Sequence, residues 1–109
     1  MKIKDILNAI LPMRKLMNLD LAAKDAYKVA KLSMQIDEEI MVFNRLESSA
    51  REKYGEDEKQ LALELDIILD LDTDKDIKYI TIAMPEGKLS AQDVLALTPF
   101  IAFEIEEDE

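Results

Sequence analysis

The chain has 109 residues, of which 49% are apolar and 35% charged, so it is long enough and apolar enough to fold as one domain. It contains no Cys and no His, which excludes disulfides and thiol chemistry and removes the commonest general base and zinc ligand. The net charge of −10 argues against direct binding to nucleic acid, because proteins that bind nucleic acid normally present a basic surface.

Charge is distributed unevenly along the chain. Residues 1–35 carry seven Lys or Arg and three Asp, whereas the rest carries seven Lys or Arg and twenty-one Asp or Glu. The simpler interpretation is that the basic and acidic parts attract each other within one fold, and that the excess charge serves solubility. The alternative is an acidic surface that meets a basic partner.

The first predicted element is a helix over residues 3–17, where apolar residues recur at helical spacing. Pro12 lies inside this pattern, where it removes a backbone hydrogen bond and crowds the preceding turn. We therefore expect a kink or break near Asn8–Leu11. The connection at residues 18–20 is short, so this helix and the next one should be antiparallel neighbours.

The longest helical pattern runs from Asp20 to Tyr54 and contains neither Gly nor Pro. An apolar stripe follows it at steps of three, four and seven residues: Val29, Leu32, Ile36, Ile40, Phe43, Leu46, Ala50 and Tyr54. Asp20 suits the N-cap, and Gly55 suits a left-handed C-terminal position. The helix would span roughly 50 Å, so the rest of the chain, a second copy or a partner must cover its stripe.

A second apolar row on this helix is a candidate interface. Tyr27, Met34 and Met41 are spaced seven residues apart, and we expect them beside the main stripe. The simpler interpretation is that they widen the buried core, and the alternative is that they form a dimer or partner interface. If the row is exposed, it is the place where a partner should bind.

The segment after Gly55 fits two kinds of secondary structure. Asp57, with Gln60 three residues later, resembles a capping box. Leu61, Leu65 and Ile68 match a helix, but apolar residues also alternate through residues 61–71 as they do in a strand. We expect a helix over about 57–68 that gives way to extended chain near Leu69, and a strand throughout is the alternative.

The remaining elements are short. Residues 77–83 are β-branched and aromatic and predict a strand, which would pair with residues 66–72 in a small sheet or hairpin. Turns are expected at residues 73–76 and 85–87. Ser90, with Asp93 in the capping-box position, starts a short helix. Residues 100–105 form a final strand or helical turn, and residues 106–109 an acidic tail.

Two charged rows are candidate contacts. The basic row lies on one face of the long helix and comprises Lys24, Lys28 and Lys31. The acidic row alternates and comprises Asp70, Asp72, Asp74 and Asp76. A calcium loop counted from Asp70 needs Gly and Glu where Lys75 and Thr81 stand, so we expect a solvated acidic turn and no metal. Such a row of lysines is more often a solvated face, or pairs with nearby acids, than a site for an anionic partner.

Three stretches together resemble a known family: AYKVAK at residues 26–31, EKYGE at residues 52–56 and KLSAQDVLALTPF at residues 88–100. They are similar to an uncharacterised family of small phage and prophage proteins from low-GC Gram-positive bacteria. The resemblance covers about residues 19–100. It implies a phage setting and the cytoplasm of an infected or lysogenic cell, and it brings no activity, cofactor or catalytic residue.

The sequence therefore predicts a single α+β domain that is mainly helical. Residues 1–55 form a long-helix hairpin, and residues 56–105 form a mixed part with a small β-hairpin or sheet and a short C-terminal helix. The predicted function is that of a non-catalytic phage accessory protein that binds another protein, with no cofactor, nucleic acid or membrane. A homodimer along the long helix fits this function. The alternatives are an acidic inhibitor of a host defence enzyme, acting through Asp70, Asp72 and Asp74, and a virion assembly component.

Overall fold

The fold is known from a computed structural model, which describes residues 1–73, 77, 79–85 and 89–104. The helices are α1 (Ile3–Asn8), α2 (Ile10–Met17), α3 (Ala23–Tyr54), α4 (Glu58–Leu69) and α5 (Ala91–Leu97), and the strands are β1 (Ile80–Ala83) and β2 (Ile101–Glu104). The molecule is elongated, with principal dimensions of 60 × 23 × 21 Å. The predicted α+β, mainly helical architecture is confirmed.

The 32 residues of α3 give the molecule its length. The prediction that Asp20 caps this helix is wrong, because the helix begins at Ala23 and the residue before it, Ala22, is extended, with φ −57° and ψ 145°. The reason lies in the connection from α2. Leu19 and Leu21 both pack against the core, and an extended segment lets both side chains reach it.

The end of α3 also differs from expectation. Gly55 is right-handed, with φ −58° and ψ −24°, so the predicted left-handed conformation is wrong. Glycine is needed here for a different reason. A Cβ atom on Gly55 would lie 2.5 Å from the carbonyl oxygen of Arg51, which no side-chain-bearing residue tolerates without a shift. The tight turn continues as the amide of Asp57 donates to the carbonyl of Tyr54 over 2.9 Å.

The N-terminal helix breaks where Pro12 predicts. Helix α1 ends at Asn8, Ala9 separates it from α2, and Pro12 has no N–H with which to continue the hydrogen bonding across the junction. Ile3 packs near Ala50, at the far end of α3, while α2 packs near its beginning. The N-terminal segment therefore runs antiparallel to α3, as predicted.

Helix α4 resolves the ambiguity of residues 61–71 in favour of a helix. The Asp57 carboxylate accepts the amide of Gln60 over 3.1 Å and caps its start. The strand alternative and the predicted strand over residues 66–72 are wrong. The second half of α3 packs against Leu61, Leu65 and Ile68, which are spaced as on one face of a helix. This packing stabilises a helix over these residues rather than a strand.

The predicted small sheet is present, but it is parallel, so its hairpin alternative is wrong. Strand β1 pairs with β2, with Ile80 opposite Ile101 and Ala83 opposite Glu104. Parallel strands need a crossover, and α5 provides it. The predicted capping box of α5 is confirmed, because the Ser90 hydroxyl and the Asp93 carboxylate each accept the other residue's backbone amide, over 3.1 and 3.0 Å. The predicted acidic tail lies outside the described residues.

Among the described residues, the core is divided into two clusters along α3. The larger one joins α1, α2 and the first half of α3 to the sheet and α5, and its buried members are Ile6, Ala9, Met13, Leu16, Val29, Leu32, Ile36, Ile82, Leu97, Phe100 and Ile101. The smaller one joins α1 and α4 to the second half of α3 around Ile3, Ala50 and Ile68. Both clusters use one side of α3, so its other side lies on the molecular surface.

Candidate functional site

The candidate site is the solvent-facing side of α3, and we call Tyr27, Met34 and Met41 its outer surface. These side chains are 63%, 67% and 70% exposed. The interpretation that they widen the core is therefore wrong. Each lies two residues before a member of the buried stripe, and two residues turn a helix by about 200°. The row is thus opposite the stripe, where packing against the rest of the chain cannot reach it.

A recess adjoins the C-terminal end of the outer surface. Its volume is about 510 Å³, and the residues that line it are Glu38, Glu39, Met41, Val42, Arg45 and Leu46. Val42 is half exposed, whereas Glu39 is buried. The recess continues the apolar row around the side of the helix, so Met41 and Val42 together offer a concave apolar contact. Sequence reasoning missed Val42, which breaks the seven-residue spacing.

Charged side chains surround the outer surface in a definite order. The Lys31 Nζ lies 5.1 Å from the centre of the Tyr27 ring, a cation–π contact between neighbouring turns. Asp37 and Glu38 follow Met34 along the helix, and both are exposed. Lys31 therefore lies on the N-terminal side of Met34, and the nearest acidic groups lie on its C-terminal side.

The predicted basic row is divided between two roles. Lys28 donates to the carbonyl of Thr81 over 3.0 Å and so holds strand β1 against α3. Lys24 and Lys31 are exposed. Lys28 therefore pairs within its own chain, and its acceptor is a backbone carbonyl rather than a nearby carboxylate.

The described members of the predicted acidic row form ion pairs within the chain. The Asp70 carboxylate lies 2.7 Å from the Lys2 ammonium and 3.7 Å from that of Lys4, and Asp72 lies 3.7 Å from the N-terminal amine. The hydrogen bond and charge of Lys2 lower the pKa of Asp70, and Asp70 in turn raises the pKa of Lys2. Asp74 lies outside the described residues. The basic N-terminus and the acidic part thus attract each other at this point.

Other exposed apolar residues form smaller groups. Leu63 and Ile67 lie together on α4, at 58% and 57% exposure. Their exposure is a consequence of the alternating apolar pattern of residues 61–71, because a helix can bury only some residues of a pattern that suits a strand. Leu95 on α5 is 68% exposed. None of these groups equals the length of the outer surface of α3.

In the described ranges, no three or more Asp or Glu side chains are grouped so that they could hold a metal ion. No helix in the described part of the chain combines the length and apolarity needed to cross a lipid bilayer. Comparison of the sequence with known protein families, with curated proteins and with solved structures found no match.

Proposed function

We propose that the protein is a non-catalytic accessory protein that acts by binding another protein through the outer surface of α3. The observation that carries this proposal is the exposure of Tyr27, Met34 and Met41, at 63–70%, on the side of α3 opposite its core stripe. Single exposed apolar residues are ordinary on protein surfaces, whereas three large ones in line on one helix face mark a place where a partner can bind.

The dimensions and composition of the outer surface support binding to a helix or a similarly extended partner. Tyr27 and Met41 are separated by about 21 Å along the helix axis, at the usual rise per residue. Apolar side chains spaced at seven-residue intervals are the pattern by which one helix packs along another. Methionine adds adaptability, because its unbranched side chain fits differently shaped partners.

The setting of this function rests on the sequence. The resemblance to small phage and prophage proteins supports a role in an infected or lysogenic cell, in the host cytoplasm. The absence of Cys and His supports a non-catalytic role, since it removes the commonest nucleophile and base pairs. A role in virion assembly is also a protein-binding role, and the same surface would serve it.

The acidic-inhibitor hypothesis has less support. It requires Asp70, Asp72 and Asp74 to meet a basic partner, but Asp70 and Asp72 already lie close to Lys2 and the N-terminal amine. These carboxylates are exposed, so their ion pairs are weak, yet a partner would still have to compete with them.

Affinity capture from a lysate of phage-infected cells tests the proposed function. The tagged protein is compared with a variant carrying Met34→Glu and Met41→Glu, and with Leu63→Glu on α4 as the matched control. We expect the wild type and the control to retain the same captured protein and the double variant to lose it. Equal capture by all three proteins would contradict binding through the outer surface.

A further inference from the structure

We infer that the outer surface of α3 binds a second copy of this chain in an antiparallel arrangement, with the two Met34 residues near the two-fold axis. This inference rests on the proposed function and names its partner. The symmetry of the row itself makes the arrangement possible, because Tyr27 lies seven residues before Met34 and Met41 lies seven after it. In the antiparallel pair, Tyr27 of one copy packs against Met41 of the other at both ends.

Charge selects this direction. Lys31 lies three residues before Met34, and Asp37 and Glu38 lie three and four residues after it. An antiparallel pair centred on Met34 brings Lys31 of each copy level with Asp37 of the other and beside its Glu38. A parallel pair instead brings Lys31 level with Lys31 and Glu38 level with Glu38, and forms neither of these opposite-charge contacts, so the charges favour the antiparallel orientation.

The small side chains beside the row allow close approach. At the antiparallel register, Ala30 comes level with Glu38 of the second copy and Ala23 comes level with Arg45. Both alanines are exposed, so each leaves room for the longer side chain that lies opposite it on the second copy. Lys24 and Arg45 are the like-charged pair that this register brings nearest, and they lie at the two ends of the interface.

The size of the contact sets the expected strength. Two helix faces that meet over one row and its flanks lie at the small end of specific interfaces, which begin at about 1,200 Å² of total buried surface. We therefore expect a reversible dimer whose population rises with protein concentration.

Single cysteines test both the partner and the direction, since the natural chain contains no Cys. Full-length Met34→Cys, Tyr27→Cys and Met41→Cys proteins are oxidised with copper phenanthroline, alone and in pairwise mixtures, with Leu95→Cys as the measure of random collision. Leu95 is as exposed as Met34, at 68% against 67%, but lies on α5.

The antiparallel dimer predicts a distinct pattern of disulfides. Met34→Cys should cross-link to itself, and Tyr27→Cys should cross-link to Met41→Cys in the mixture, each well above the Leu95→Cys control. Neither end variant should cross-link to itself, because the two copies of residue 41 would lie about 21 Å apart along the axis, beyond the reach of a disulfide.

Two outcomes would overturn the inference. Self-cross-linking by each of the three variants, with no mixed product, means a parallel pair. Cross-linking no greater than that of Leu95→Cys at every position means that the second copy does not bind here. In that case, loss of a lysate partner from the Met34→Glu, Met41→Glu variant would still support the proposed function, with a different protein on the same surface.

Discussion

Met34 and Ile36 lie two residues apart on α3 and have opposite environments, because Ile36 is 2% exposed and Met34 is 67% exposed. The helix turn between them places one in the larger core cluster and the other in solvent. Two large apolar side chains at neighbouring positions therefore have separate roles. Ile36 holds the fold together, whereas Met34 is available to another molecule.

Paired substitutions at these two positions should separate stability from association. Ile36→Ala should lower the free energy of unfolding by about 2–5 kcal/mol, because it removes buried methyl groups and leaves a cavity. Met34→Ala should change it by no more than about 0.5 kcal/mol at a concentration where the protein is monomeric. Urea unfolding followed by circular dichroism measures both. Similar losses at the two positions would contradict the assignment of Met34 to the surface.

Gly55→Ala should destabilise the turn between α3 and α4. The added Cβ would meet the carbonyl oxygen of Arg51 at 2.5 Å, and the backbone has to move to relieve the contact. A forced shift of this kind costs about 1–3 kcal/mol. Thermal unfolding compared with Ala62→Gly, an exposed change of the opposite sense within α4, separates the contact from general helix propensity. An unchanged or raised melting temperature for Gly55→Ala would contradict the expected clash between the added Cβ atom and the Arg51 carbonyl oxygen.

Ser90→Ala should remove half of the capping box of α5. The Ser90 hydroxyl accepts the amide of Asp93 over 3.1 Å, and loss of such a cap typically costs about 1 kcal/mol. Because α5 connects the two parallel strands, the amides of β2 should also exchange faster with solvent. Hydrogen exchange measures this effect. Thr98→Ala, at the other end of α5, provides the comparison, and an equal response to both changes would argue against a specific role for the cap.

Low pH should weaken the contacts of Asp93 at the start of α5. The Ser90 amide and the Lys15 ammonium, 3.1 Å away, lower the pKa of the Asp93 carboxyl. A lowered pKa means that the carboxylate stabilises the folded state above its unfolded pKa of about 4, and that this contribution is lost as the pH falls further. Asp93→Asn should therefore lower the melting temperature at pH 7 and differ less from the wild type at pH 3. A difference that stays constant with pH would contradict this role.

The protection of the β1 edge that does not face β2 should depend on two side chains of α3. The Asp25 carboxylate accepts the amide of Ala83 over 3.2 Å, and Lys28 donates to the carbonyl of Thr81 over 3.0 Å. These contacts occupy backbone groups that would otherwise form an open strand edge. Asp25→Ala should speed exchange of the Ala83 amide and cost about 1 kcal/mol. Lys24→Ala, on the same helix, should leave that amide unchanged, and equal effects of the two would contradict the contact.

Local patterns predicted the helices well, because each depends on neighbours within one or two turns. The break at Ala9 follows from Pro12, and the starts of α4 and α5 follow from Asp57 and Ser90. These are backbone effects that act over four residues or fewer.

Features that depend on distant packing were not predictable in the same way. The pairing of β1 with β2 depends on the crossover that joins them. No short sequence pattern specifies which strands will pair. The start of α3 was moved by Leu19 and Leu21 packing on the core. The outer surface is a different case, because its opposition to the buried stripe follows from counting about 100° per residue. The sequence therefore indicated that the outer surface faces away from the buried stripe. The seven-residue spacing of the row, taken alone, does not show this.

The central claim is that a second copy covers the outer surface of α3, and the most direct test is the mass in solution at increasing concentration. Light scattering compares the wild type with Met34→Glu, and Leu63→Glu serves as the control on the other exposed apolar surface. We predict that the wild type and the control approach twice the 12.5 kDa mass of one chain, while Met34→Glu stays at that mass. A monomeric wild type at every concentration, or a Met34→Glu protein that dimerises equally well, would contradict the claim.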